Sequence, residues 1–239
     1  MTESISPTGS KPDTTRGIAR WAGQIIVSAL LAGAILFLSA GRLDWAAGWA
    51  FLGLNILTQV LSAVVLIPRQ SEMLADRSQV RAGTKGWDRF FTPGILVGTL
   101  AMFLTAGLDA RFGWSSPAGA GTWLLGLGLA LVCQLFVLWA MASNPFFALT
   151  VRIQDERGHT VVSRGPYRLV RHPGYLGSLL YTLVAPLALG SWWTFVPALL
   201  TGALIIIRTG LEDRTLQVEL PGYADYAGRV RWRLVPGIW

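Results

Sequence analysis

The stretch GTWLLGLGLALVCQLFVLWAMA, residues 121–142, decides the fold. It carries no charged residue, and about 20 such residues are what a helix needs to cross a hydrocarbon core about 30 Å thick. Working outward, comparable apolar runs occupy 21–40, 45–67 and 92–108 before it, and 175–189 and 192–207 after it. Composition agrees. Of the 239 residues 52% are hydrophobic and only 14% are charged, with a mean hydropathy of +0.48. A soluble domain carries about 25% charged residues, so this chain lacks the polar surface that water demands. The expected fold class is all-α: a polytopic integral membrane helical bundle with about six transmembrane segments. The run 175–189 is short for a full crossing, which leaves a tilted or partly re-entrant hairpin open at that point.

The polar segments between the runs set the orientation. Lys11, Arg16 and Arg20 precede the first run. Arg69, Arg77, Arg81, Lys85 and Arg89 follow the second, and Arg152, Arg157, Arg164, Arg168 and Arg171 follow the fourth. Arg208, Arg214, Arg229, Arg231 and Arg233 follow the sixth, whereas the alternate loops hold only Arg42, only Arg111 and none. Basic residues are retained on the cytoplasmic side, so both termini are expected there. Trp45, Trp49, Trp114, Trp123, Trp192 and Trp193 fall near run ends, where amphipathic rings anchor at the interface. The net charge of +7 is thus a membrane signal rather than a nucleic-acid one, and no nucleic-acid partner is expected. The lone Cys133 lies mid-run and can form no intramolecular disulfide.

The chain divides into a Ser/Thr/Pro-rich tail, 1–20, read as disordered; a block of transmembrane helices, 21–142; and a terminal block, 143–239. Pro68 is read as the stop of the second run, and 69–91 as an amphipathic interfacial segment. Asp109 is read as the start of a short turn. Both histidines, His159 and His172, fall in the long basic loop after residue 142, which Gly and Pro punctuate too densely for a helix. By residues alone, two readings stay open for this loop. It could dock a nucleotide-like ligand through backbone groups and aromatic rings, or it could be a connector whose arginines bind lipid phosphates. Two histidines without cysteine partners make no metal set, and none is expected. Arg208 and Glu212 stand one turn apart on one helix face, which fits a site or a surface pair alike.

The run Gly165-Pro166-Tyr167-Arg168-Leu169-Val170-Arg171-His172-Pro173-Gly174-Tyr175-Leu176-Gly177 resembles the signature of isoprenylcysteine carboxyl methyltransferases and their bacterial relatives. The resemblance extends to Leu220-Pro221-Gly222-Tyr223, Tyr226 and the closing Arg233-Leu234-Val235-Pro236-Gly237-Ile238-Trp239. It implies a methyltransferase core over 143–239 in a multi-pass protein of the bacterial inner membrane. The implied cofactor is S-adenosyl-L-methionine, facing the cytoplasm, and the implied substrate is a lipidic acceptor entering from the bilayer. Carried over residue by residue, the cofactor contacts are Gln154, His159, Thr160, Val161, Val162, Tyr167, His172, Pro173, Gly174, Tyr175 and Glu212. Arg208 is implied as the residue that binds the substrate and acts in catalysis. The stretch from Gln154 to His159 is shorter than in the eukaryotic enzymes, and Asp213-Arg214-Thr215 stands where those have an acidic run. No Rossmann domain is expected, because Gly126-Leu127-Gly128 lies inside an apolar run rather than after a strand. Related families that methylate phospholipid or other lipid amines share the Arg-His-Pro loop and give the second reading. A non-catalytic transporter or scaffold gives a third, against which stands the scarcity of ionisable residues within the runs.

Overall fold

The computed structural model describes residues 14–116 and 118–239, so most of the tail reading, 1–13, lies outside the described residues. Among the described residues there are seven α-helices and no strand. They are α1 Thr14–Ala40, α2 Ala46–Arg77, α3 Asp88–Phe112, α4 Ala120–Ser143, α5 Pro173–Leu189, α6 Phe195–Glu219 and the short α7 Tyr223–Arg229. Five of them are long and apolar enough to cross a membrane, and α5 is a shorter apolar helix. At 1.5 Å per residue α5 spans about 25 Å, less than the hydrocarbon thickness. The protein is therefore a polytopic helical membrane bundle.

Three boundaries differ from the sequence reading, each for a local reason. The first helix starts at Thr14 rather than at residue 21, because nothing in Thr14–Arg20 breaks a helix and the chain simply continues inward. Pro68 does not end α2. The helix kinks there, with Gln70 at φ −141° and ψ 34°, and resumes to Arg77, as helices do when a neighbour satisfies the freed groups. Here the Gln70 side-chain amide donates to the Ala142 carbonyl on α4 at 3.1 Å. Asp109 stays inside α3, which runs on to Phe112 and stops at Gly113 in the left-handed conformation.

The six long helices close into a ring. In order around it, α1 packs on α2, α2 on α4, α4 on α5, α5 on α6, α6 on α3, and α3 back on α1. The shared interior contains Leu36, Phe51, Met102, Ala106, Ala185 and Ala188, while Leu30, Val64, Val97, Val132 and Leu200 point outward. This arrangement suits lipid, which offers no hydrophobic drive for helix pairing and rewards close backbone approach instead. Polar groups inside the ring pair with one another: Asn55 Oδ1 accepts from Tyr181 Oη at 2.7 Å and from Gln134 Nε2 at 3.4 Å, joining α2, α4 and α5. At the end away from the basic loops, buried Asp109 accepts from Ser115 and from Ser191 Oγ at 2.5 Å, fastening the turn between α5 and α6 to α3.

The most extensive seam is α4 against α5. A Cβ on Gly126 would stand 2.4 Å from the Ala188 nitrogen and 2.6 Å from the Leu187 carbonyl carbon, both backbone atoms that cannot swing away. A Cβ on Gly128 would meet nothing within 4 Å. Gly126→Ala should therefore lower the thermal unfolding midpoint in detergent, at a cost of about 1–3 kcal/mol or more from overpacking. Gly128→Ala should be neutral or slightly stabilising. Equal effects of the two substitutions would contradict the seam.

Candidate active site

The ends of α2, α3 and α6 that carry the basic residues are covered by the chain between α4 and α5. That segment is too rich in Gly and Pro to continue as a helix, and holds only two short 3-10 turns, Asp155–Arg157 and Gly165–Arg168. Its last residues pair with the C-terminal strand of coil: Arg171 N donates to the Trp232 carbonyl at 2.9 Å and His172 N to the Arg233 carbonyl at 3.0 Å. Tyr226 of α7 donates its hydroxyl to the Tyr167 carbonyl at 2.7 Å. Between these covers and the helix ends lies a partly open cavity of about 210 Å³.

Most of the residues expected at a site meet there. His159, Thr160, Val161, Val162, Tyr167, His172, Gly174 and Tyr175 line the cavity, as do Arg208 and Glu212 from α6. Two do not. Gln154 is buried behind the wall, where its amide donates to the Phe146 carbonyl at 2.7 Å and accepts from Arg157 at 2.6 Å. Pro173 opens α5, with its ring buried away from the cavity. Arg77, Phe147, Arg152, Arg171 and Tyr223 are among the further lining residues that the sequence does not point to.

Arg208 is the main surprise. Its Nε donates to Asp88 Oδ1 at 2.7 Å and its Nη2 to Asp88 Oδ2 at 3.1 Å, with a further bond from Nη2 to the Leu149 carbonyl at 2.8 Å. The planar fork that could clasp a ligand carboxylate is thus engaged by Asp88, which is fully buried in the first turn of α3. Asp88 also accepts from the backbone N–H of Val151 at 2.8 Å, so it joins α3, α6 and the covering segment. The Arg208 guanidinium sits 5.3 Å from the centroid of the Tyr175 ring, and Tyr175 Oη donates to Glu212 Oε2 at 2.5 Å. Arg208 and Glu212 share a helix face, as their spacing requires, but each takes a different partner.

Asp213 ties the other wall together. Fully buried, it receives hydrogen bonds from Tyr223 Oη at 3.0 Å, Gln217 Nε2 at 2.7 Å and Arg233 Nε at 2.8 Å, and faces His172 Nε2 at 3.2 Å. Arg171 Nε lies 3.3 Å from Asp213 Oδ1 but off the direction of a hydrogen bond, so this buried nitrogen keeps only the ion pair. A third carboxylate, Asp76, holds buried Arg152 at 2.9 Å. Burial pushes the Tyr167 and Tyr226 hydroxyls above their ordinary range; burial and then the Asp213 charge do the same to Tyr223. Burial, reinforced by Arg152 and Arg157, pulls His159 down to about 4. The three phenols and the His159 ring are therefore neutral at pH 7, and the ring stacks near Phe146 at 4.5 Å between centroids.

Residues 125–218 match the family model for the Isoprenylcysteine carboxyl methyltransferase (ICMT) family. The match covers most of α4, the cavity-lining loop, α5 and nearly all of α6; the tail motifs from Leu220 onward lie beyond it. Similar curated proteins include the uncharacterized protein YpbQ of Bacillus subtilis (strain 168), 25% identical over 164 residues, which are 66% of this chain and 95% of that protein. Another is the cobalt-zinc-cadmium resistance protein CzcN of Cupriavidus metallidurans, 34% identical over 121 residues, which are 48% of this chain and 49% of that protein.

Removing one partner of a buried ion pair costs about 3–5 kcal/mol, because the remaining charge is left without compensation. Asp213→Ala, which orphans Arg171 and Arg233 together, should lower the unfolding midpoint steeply. Tyr223→Phe removes the hydroxyl's hydrogen bonds to Asp213 and His172 Nε2 but orphans no charge, and should cost about 1–2 kcal/mol. Thermal unfolding of the two variants in the same detergent checks this, and shifts of equal size would contradict the central position of Asp213.

Proposed function

From the match of residues 125–218 to the isoprenylcysteine carboxyl methyltransferase family, we propose that the chain is a member and that it transfers the methyl group of S-adenosylmethionine to a carboxylate on an apolar-tailed acceptor drawn from the bilayer. The reaction takes place at the cytoplasmic ends of the helices, where the basic loops gather. The observation that carries this reading is the charge left over in the cavity. Four arginines and one carboxylate line it. Arg152, Arg171 and Arg208 are matched by Asp76, Asp213 and Asp88. Among the described residues Glu212 has no cationic side chain within ion-pair distance, and Arg77 no carboxylate.

The residues present fit the donor. Glu212 supplies a negative charge that no direct ion pair takes up among the described residues, suited to a ligand that is positive overall, bearing a sulfonium, an ammonium and a carboxylate. The Tyr167 ring, with no cation over it among the described residues, offers a π face, whereas one face of Tyr175 is already covered by Arg208. The stretch His159 to Val162 brings a neutral imidazole and backbone groups to the same wall. When bound, the donor supplies an electrophilic methyl group. The chain's residues then have to align it with the acceptor and exclude water, and alignment alone accounts for much of the barrier in such displacements. No general base is required, because a carboxylate is already ionised near neutral pH.

Charge balance also separates the two acceptor classes. A donor with one net positive charge and an acceptor with one negative charge bring no net charge into the cavity. A lipid amine without a phosphate would bring in a net positive charge beside four arginines, which is unfavourable. The transporter and scaffold readings offer no account of the Glu212 and Tyr175 pair.

Glu212→Ala should weaken binding of S-adenosylmethionine by about 1–3 kcal/mol, roughly 5- to 150-fold, while the protein still elutes as a folded species. Isothermal titration with the purified protein measures this. Near-normal donor affinity in Glu212→Ala would remove the donor from this wall of the cavity.

A further inference from the structure

Arg77 stands apart from the other three arginines of the cavity. It ends α2, beyond the Pro68 kink, and the kink turns this last stretch of helix over the cavity. The end is held in place from two sides: Gln24 Nε2 donates to the Ser78 carbonyl at 3.1 Å, and Ser78 Oγ to the Ala75 carbonyl at 2.8 Å. The Arg77 guanidinium lies 5.1 Å from the centroid of Phe147. Its Nη1 donates to the Ala148 carbonyl at 3.1 Å. Nε and Nη2 have no partner among the described residues. The adjacent carbonyl, Leu149, is the one bound by Arg208, so the two guanidinium groups flank one short piece of chain.

An arginine that faces a cavity with two nitrogens unengaged and no carboxylate beside it is arranged to receive an anion. Arg208 cannot offer a fork, because Asp88 holds it. We propose that Arg77 holds the carboxylate of the methyl acceptor, through Nε and Nη2, and that Arg208 serves as a fixed second positive charge across from it. The inference rests on the carboxyl-transfer reading and adds to it the residue that selects for an anionic head. It also moves acceptor choice into α2, outside residues 125–218 that match the family.

The test uses the full chain in detergent, saturated with S-adenosylhomocysteine so that nothing turns over. The probes are N-acetyl-S-farnesylcysteine and palmitate, each alongside its methyl ester. Wild type should bind the acid more tightly than the ester by about tenfold for at least one tail, as expected for a charge-assisted pair. Arg77→Gln should bring the two within about twofold, Arg77→Lys should keep part of the difference, and both variants should bind S-adenosylmethionine within about threefold of wild type. A preference for the acid that survives in Arg77→Gln overturns the inference. So does a wild type without any preference, or a variant that loses donor affinity while keeping the acid preference, which would put the donor's own carboxylate on Arg77. Failure of the underlying reading is seen separately, as a wild type that methylates an amine or transfers no label at all.

Discussion

Guanidinium groups carried to the edge of a membrane and then covered by protein must be neutralised where they lie, since each would otherwise be a desolvated charge. Three buried carboxylates meet that demand. Asp76 at the end of α2 takes Arg152, Asp88 at the start of α3 takes Arg208, and Asp213 on α6 takes Arg171 and Arg233. The Asp76 and Asp213 pairs join α2 and α6 to the cover, and Asp88 joins α3 to α6 while accepting from Val151 of the cover, so the cover can be polar and largely non-helical and still hold a defined shape. The arginines of these pairs, Arg152, Arg171 and Arg208, line the cavity. The charges the carboxylates leave over, Arg77 and Glu212, are the ones free to meet ligands.

Much of the architecture was legible in the sequence for simple reasons. Long uncharged runs mark helices in lipid wherever they occur, the density of Gly and Pro after residue 142 forbids a helix there, and 175–189 read as short because it is short. The one-turn spacing of Arg208 and Glu212 placed both on the cavity face. Their partners were not legible. Asp88 and Arg208 are 120 residues apart, and no local pattern announces which buried carboxylate meets which guanidinium. Arg77 was read as one more orienting charge, since it sits among five basic residues in one loop. Its position over the cavity depends on α2 bending at Pro68 and continuing. A proline alone reads equally well as a stop. Gln154 shows the opposite case: a residue of the right type at the right place in the motif turns its amide to the Phe146 carbonyl and does not line the cavity.

The family match and the structure divide the cavity unevenly. Residues 125–218 contain the His159 to Val162 stretch, Tyr167, His172, Tyr175 and Glu212, which together make up the side proposed for the methyl donor. Asp76, Arg77 and Asp88 come from α2 and α3, outside the match. A donor is common to all members of a methyltransferase family, whereas acceptors differ. In the proposed assignment the helices carrying the family signature hold the shared ligand and the earlier helices hold the variable one.

The most direct measurement is the chemistry of the bond that receives the methyl group. Purified protein supplied with S-adenosylmethionine labelled in its methyl group and with extracted membrane lipids should yield a labelled apolar product. Mild base should release that label as volatile methanol, since an ester of a carboxylate is cleaved by hydroxide. Label that survives base in the lipid fraction belongs to an N-methyl group, and that result would contradict carboxyl transfer.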